Sequence, residues 1–183
     1  MNSYPGKRTL DILVSGTACI ALAPVVAGVA VATWFEDGGP PLFRQLRIGE
    51  HRRAFTIIKF RSMRDSHITH IGRWLRQSGI DELPQFLNVL RGEMSTVGPR
   101  PLTEHDIDRL GWSDPSHNWR FEAKPGITGL SQLHAGRGAR DSERLDKLYL
   151  KRQSLALDLQ LIAASFVVNI VGKRQVRRWL RAT

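Results

Sequence analysis

From Ile12 to Phe35 the chain runs ILVSGTACIALAPVVAGVAVATWF, 24 residues without a charged side chain. A helix of that length and polarity is long enough to cross the hydrocarbon core of a bilayer. Mean hydropathy over the whole chain is −0.25, so this run stands apart from the rest. Three readings compete for it. A signal peptide would fit Lys7 and Arg8 as an n-region and the ALA before Pro24 as a cleavage site, but the apolar stretch continues well past that point. A single-pass anchor has to place Lys7 and Arg8 on one side and Arg44, Arg47, Arg52 and Arg53 on the other, against the preference of cations for the cytoplasmic face. A re-entrant helix satisfies both flanks. Pro24 stands in the middle of the run, where it removes an intrahelical hydrogen bond and kinks the helix. The re-entrant reading is favoured, with Asp11 expected at the membrane edge among headgroups and water.

The remainder reads as one α/β domain, mainly helical. A length of 183 residues with 42% apolar and 24% charged side chains suits one folded unit and excludes disorder. Lys+Arg is 27 against 17 for Asp+Glu, a formal +10, and 21 of the cations are arginine. Such a surplus faces a negative partner, and the planar guanidinium fork favours phosphate. A single cysteine, Cys19, excludes an internal disulfide framework and a Cys-rich zinc site. After the breaker cluster Gly38-Gly39-Pro40-Pro41, LFRQLR and AFTIIKF flank IGEHRR and predict a β-hairpin carrying Gln45, Arg47 and Lys59. Helices are expected over 68–77 and 82–90, the second with Pro84 in its first turn, and short helices over 103–110 and 115–121. The Gly- and Pro-rich stretch from Gly98 to Gly138 reads as loops that build a site. A charged helix over 141–152 and an apolar one over 154–171 follow. The last residues, KRQVRRWLRAT, have the composition of a helix lying on anionic lipid, with a solvated basic tail as the alternative.

No GxxxxGK[ST] and no GxGxxG after a strand occurs. His67 and His70 lie three apart with no third ligand nearby, which speaks against a histidine metal site. What stands out is a set of cations in loop contexts: Lys59 and Arg61 in KFRSM, Arg76, Arg100 in GPRP and Arg137 in AGRG. A substrate carrying a diphosphate needs cations against several oxygens as its leaving phosphate gains charge. Asp81-Glu82 is the adjacent acidic pair with a catalytic look. Neighbours on a helix point about 100° apart, so the two carboxylates split roles: one can attack phosphorus while the other orients a metal or moves a proton. Mg²⁺ suits such a site, and a helix N-terminus would add a favourable field. The competing reading makes Asp81 a helix cap and Glu82 a first-turn acid.

Together these motifs resemble the bacterial sugar transferases, the monotopic phosphoglycosyl transferases. The matches are KRTLDILVSG at 7–16, DGGPPLFRQLRIG at 37–49, FTIIKFRSM at 55–63, IGRWLRQSGIDELPQFLNVLRGEMSTVGPRPL at 71–102, KPGITGLSQ at 124–132 and LDLQLI at 157–162. The resemblance implies transfer of a sugar 1-phosphate from a UDP-sugar to polyprenyl (undecaprenyl) phosphate with release of UMP, the opening step of exopolysaccharide, capsule, O-antigen or glycoprotein assembly. It implies Asp81 as nucleophile and Mg²⁺ contact, Glu82 as its partner, and Lys59, Arg61, Arg76, Arg100, Arg137 and Asp146 as groups of the substrate site. It implies a monotopic protein on the cytoplasmic face of a bacterial inner membrane: residues 12–35 as the re-entrant helix, 36–153 as the catalytic part and 154–183 as an amphipathic membrane-associated end touching anionic lipid. Dimerisation stays open. Ala23 stands where the family often has serine before the proline, and Gln132 is followed by LHAGRG, one residue longer than the common spacing, which alters the register of Arg137. Two rivals remain, a catalytically silent scaffold of this family and a membrane-tethered nucleic-acid-binding protein. The second would need aromatics interleaved with cations, and the five Trp and two Tyr are not so arranged, so no nucleic-acid partner is expected.

Overall fold

The computed structural model describes residues 3–134 and 138–171. Its apolar N-terminal run is two helices, α1 (Lys7–Ala21) and α2 (Ala23–Asp37), meeting at Leu22 with a 59° bend. The break falls two residues before Pro24, which sits in the first turn of α2. The reason is local: a proline ring clashes with the carbonyl four residues back, whereas its missing N–H costs nothing at a helix start. Among the described residues no single helix is long and apolar enough to cross a membrane; α1 and α2 meet that test only together, as a bent pair.

Gly38, at φ 69°, closes α2 and turns the chain into the hairpin. Strand β1 (Leu42–Ile48) pairs antiparallel with β2 (Ala54–Phe60), Leu42 opposite Phe60 and Ile48 opposite Ala54. The two-residue strands β3 (Met63–Arg64) and β4 (His67–Ile68) lead into α3 (His70–Ser78), capped by Thr69 Oγ1 accepting from Gly72 N at 2.9 Å. A 3₁₀ turn at Ile80–Glu82 and a short helix α4 (Gln85–Leu90) follow. Asn88 of α4 closes the open edge of β2, accepting from Ile58 N at 3.1 Å and donating to Thr56 O at 2.8 Å.

Strand β5 (Ser95–Val97) pairs in parallel with β6 (Gly126–Thr128), Val97 opposite Thr128. Between them lie α5 (Glu104–Arg109), held by a capping box on Thr103 and Asp106, and a 3₁₀ helix at Pro115–Glu122. Part of the expected loop region is thus a crossover between parallel strands. Glycine makes the pairing possible, since a Cβ on Gly126 would stand 2.1 Å from Gly98 N. The short α6 (Leu130–Leu133), then α7 (Ala139–Arg152) and α8 (Leu155–Val171) complete the described chain. The core lies in four patches: Ile57, Val89 and Met94 under the hairpin; Val97, Tyr149 and Leu161 between β5, α7 and α8; Leu102, Ile107 and Trp112 under the crossover; Val29, Phe60 and Leu75 where α2 meets α3.

Both ends of the bent pair are tied to this body. At the start of α1, Lys7 Nζ donates to Asp158 Oδ2 at 2.6 Å, to Tyr149 Oη at 3.0 Å and to Val97 O at 3.0 Å. Arg8 donates to the carbonyls of Val89 and Leu90 at 2.6 and 2.8 Å. Asp11 is buried at 3% exposure and accepts from Ser95 Oγ and Thr96 N. The expectation that headgroups and water solvate Asp11 is therefore corrected: a carboxylate beside an apolar run finds its donors on strand β5. At the end of α2, Glu36 accepts from the amides of His70 and Ile71, and Asp37 pairs with Arg61.

Candidate active site

The Asp81-Glu82 pair is presented by a change of backbone direction. Gly79, at φ 75°, ends α3 and starts the 3₁₀ turn, while Ile80 packs beside Leu75 and Phe60. Helical geometry continues through Leu83 and Pro84, and α4 begins only at Gln85. The expected helix over 82–90 is thus shorter, and the acidic pair rides the turn ahead of it. No side chain caps either element, so Asp81 is not a helix cap. That removes the capping role for Asp81, while Glu82 keeps the first-turn position of the competing reading.

Asp81 and Glu82 line a wide groove with Lys59 from β2, Arg76 from the last turn of α3 and Arg100 from the loop after β5. Among the described residues none of these five side chains makes a direct ion pair or a hydrogen bond to another residue, and the Asp81 carboxylate accepts only from its own backbone N–H. They act on one another through space. Burial raises the Asp81 carboxyl above the ordinary aspartate range and Glu82 pushes the same way, while Lys59 and Arg76 draw it back. Burial lowers the Lys59 ammonium, opposed by Glu82 and Asp81 and reinforced by Arg100 and Arg47. A half-buried carboxylate bonded to no other residue is a better nucleophile than one held by several donors.

The other predicted residues fall in different places. Arg61 lines the groove, but its guanidinium is engaged by Asp37 at the end of α2. Asp146 lines the far wall and is buried, with Oδ2 accepting from Arg120 Nε at 3.1 Å and Oδ1 from Ser131 Oγ at 2.6 Å. Burial raises the Asp146 carboxyl, and Arg120 and Ser131 oppose it. Arg120 also donates from Nη2 to Arg100 O at 2.8 Å, so this buried pair fixes the loop that carries Arg100. Arg137 lies outside the described residues. Sequence reasoning missed Arg120, Gln85 and Gln132. For Gln85 a signal existed: it follows Asp81 by four and Glu82 by three, the spacing of one helical face.

The groove does not stop at the charged residues. It continues over Leu13, Thr17, Ala21 and Val25 on α1 and α2 and over Ile162 and Phe166 on α8. Around it Leu13, Ile20, Val25 and Phe166 are exposed, Ile20 at 81%. One surface thus offers a phosphate-type cluster and an apolar wall side by side.

A family model described as bacterial sugar transferase matches residues 2–172. Among similar curated proteins, the UDP-glucose:undecaprenyl-phosphate glucose-1-phosphate transferase of Caulobacter vibrioides is 40% identical over 171 residues, covering 85% of this chain and 62% of that protein. The transferase of the same name from Klebsiella pneumoniae is 35% identical over 188 residues, covering 91% of this chain and 40% of that protein. The exopolysaccharide production protein PSS of Rhizobium leguminosarum bv. phaseoli is 37% identical over 192 residues, covering 90% of this chain and 94% of that protein. The chain thus spans less than two thirds of the first two relatives and nearly all of the third. With its family match running from the start of α1 through α8, the chain belongs to the bacterial sugar transferase family.

Proposed function

We propose that this protein is a phosphoglycosyl transferase that moves a sugar 1-phosphate from a UDP-sugar to undecaprenyl phosphate and releases UMP, initiating a lipid-linked glycan. One observation carries the reading. Asp81 and Glu82 are bonded to no other residue among those described and share with Lys59, Arg76 and Arg100 a groove that runs on over the apolar faces of α1, α2 and α8. A soluble diphosphate donor fits the charged end and a lipid acceptor the apolar one. The Caulobacter and Klebsiella relatives, each named as a UDP-glucose:undecaprenyl-phosphate glucose-1-phosphate transferase, support the same reaction.

Asp81 Oδ attacks the β-phosphorus of the donor. A P–O bond to Asp81 forms, the bridging P–O bond breaks with its electron pair, and UMP leaves. A phosphate oxygen of the acceptor then attacks the same phosphorus, forming the lipid diphosphosugar and returning Asp81 as carboxylate. Lys59, Arg76 and Arg100 hold the phosphate oxygens and offset the charge that grows on the leaving group. Glu82 positions the reacting groups.

Mg²⁺ fits this donor set. The described residues hold no cluster of three or more His, Cys, Asp or Glu, and Mg²⁺ is commonly held by one or two carboxylates with substrate phosphates and water. Asp81 would be its protein contact, with neither carboxylate of the pair bonded to another described residue. Bound there, the ion would supply charge neutralisation between carboxylate and diphosphate.

The bent pair α1–α2 enters one leaflet and returns, and the catalytic part lies on the cytoplasmic face. Lys7, Arg8 and Asp11 at one end and Glu36 and Asp37 at the other are held by the same body, which supports a re-entrant course over a span. The test is UMP release by detergent-purified protein from a panel of UDP-sugars, with undecaprenyl phosphate and Mg²⁺ present or omitted. Release dependent on acceptor and metal is expected. Folded protein that releases no UMP from any donor would refute the assignment.

A further inference from the structure

Beside the groove, behind Lys59, Glu82 and Arg100, a small recess opens with Arg47, Gln85 and Gln132 on its walls. It has room for about one water-sized group, far less than a sugar ring. Its polar groups are only partly spent on the fold. Gln85 is 2% exposed, and among the described residues its amide makes no hydrogen bond. Arg47 uses Nη1 on Pro101 O at 3.2 Å and on Asp106 Oδ2 at 3.4 Å, and Nη2 on Gln45 Oε1 at 2.6 Å, while its buried Nε has no partner. Lys59 Nζ is uncommitted as well. Gln132 differs, since its Nε2 already donates to Gly98 O and Gly126 O.

A buried polar group left without a partner costs about 1–3 kcal/mol, and more where it is charged. Donors left open at a reactive centre mark the place where charge arrives. Three cations, Arg47, Lys59 and Arg100, against one carboxylate, Glu82, line the recess, so the group that suits it is an acceptor the size of one atom with its hydration space, joined to the phosphorus that Asp81 attacks. Gln85 stands one helical turn beyond Asp81 on a continuous helical path, so the element that aims the nucleophile also aims this amide.

We propose that the recess is an oxyanion niche for one non-bridging oxygen of the transferred phosphoryl group, with the Gln85 amide and Arg47 Nε as donors not otherwise assigned to the reaction. The inference rests on the phosphoryl transfer proposed above. It makes Gln85 a substrate-contacting group that works most strongly as negative charge builds on phosphorus.

Two measurements test it. The first uses wild-type protein and a UDP-sugar in which sulfur replaces one non-bridging β-oxygen, each diastereomer assayed separately for UMP release. Sulfur is too large for the niche, so one diastereomer should turn over about 30-fold or more slower than the other. The second uses Gln85→Met, close in volume but without the amide. Its kcat should fall ~100-fold with donor KM within about threefold, and the diastereomer ratio should shrink towards unity. Equal rates for the two diastereomers in wild type would show that the niche holds solvent and would overturn the proposal. So would folded Gln85→Met with kcat within about threefold of wild type. Because the diastereomer ratio is read on unaltered protein, the proposal stays exposed even where Gln85→Met does not fold. Wild-type protein that releases no UMP at all would overturn the transferase reading, and the niche with it.

Discussion

Breaking the contact between Lys7 and Asp158 tests how the apolar N-terminus is joined to the catalytic body. Lys7 is 9% exposed and Asp158 1%, with 2.6 Å between Nζ and Oδ2. Asp158 also accepts from Tyr4 Oη at 2.9 Å and Tyr149 Oη at 2.8 Å. Replacing Lys7 by Met leaves a buried carboxylate with two phenol donors and no cation, a loss of about 3–5 kcal/mol for one partner of a buried pair. For a chain of this size each kcal/mol moves the melting temperature by about 2–4 °C, so Lys7→Met should melt ~6–20 °C lower. Asp158→Leu should cost a similar amount, because the ammonium is left with Val97 O and one phenol. The double variant should not lose the sum. With both charges gone, Tyr149 still donates to Val97 O at 3.1 Å, and only the Tyr4 hydroxyl is orphaned, at about 1–3 kcal/mol. Thermal unfolding in detergent, followed by tryptophan fluorescence, reads all three. If each single variant melts within about 2 °C of wild type, or the double variant falls by the full sum, the clamp does not hold α1 to α8.

Asp81→Asn should remove UMP release by at least about 10³-fold while leaving the melting temperature within a few degrees, since its carboxylate caps nothing; activity within tenfold of wild type would dismiss it as nucleophile. The first half-reaction needs Asp81 ionised and burial raises its pKa, so activity should fail on acidification at a higher pH than an ordinary aspartate would give. Lys59→Met should move that acid limb to higher pH and Glu82→Gln to lower pH, because Lys59 favours the ionised form and Glu82 opposes it; shifts in one common direction would contradict the site electrostatics. Pro24→Ala lowers the cost of a straight, unbroken helix by about 3 kcal/mol, no more than the clamp at Lys7 alone withholds, so cysteine labelling near residue 3 should report unchanged sidedness. Labelling from the opposite face in that variant would mean the proline alone sets the course of the helix.

Much of the framework was legible because it follows local rules. Alternation in LFRQLR and AFTIIKF gave the hairpin, Thr69 and Gly79 bracket α3, and Thr103 with Asp106 marks α5. The parallel pair β5–β6 was not legible, since strands of three residues separated by a crossover carry no period to read; their only trace is the glycines that let VGP and PGITG lie backbone to backbone. Asp11 was misplaced for a related reason. A charge at the end of an apolar run reads as a headgroup contact until its partners, Ser95 and Thr96, are known to stand 84 and 85 positions away. Asp81 and Glu82 were legible as an acidic pair, but whether Asp81 caps a helix depended on where α4 starts, and Pro84 moved that start to Gln85.

The division among the cations is what composition could not supply. An excess of arginine points to phosphate, yet Arg8, Arg61 and Arg120 are consumed by carbonyls and carboxylates of the fold, as is the ammonium of Lys7. Lys59, Arg76 and Arg100 are not. The two groups are nonetheless coupled, because two of the committed cations fix segments that carry an uncommitted one: Arg120 grips the carbonyl of Arg100, and Arg61, two residues beyond Lys59, is tied to the end of α2. The same contacts that hold the apolar helices to the body therefore hold the phosphate-facing side chains in place. A lipid acceptor reaching phosphorus from the apolar end of the groove and a nucleotide donor entering from the charged end would meet at Asp81 without any large movement of either wall. For the proposed transfer of a phosphoryl group from a soluble donor to a lipid acceptor, the contacts that join the apolar helices to the active site would keep donor and acceptor aligned on Asp81.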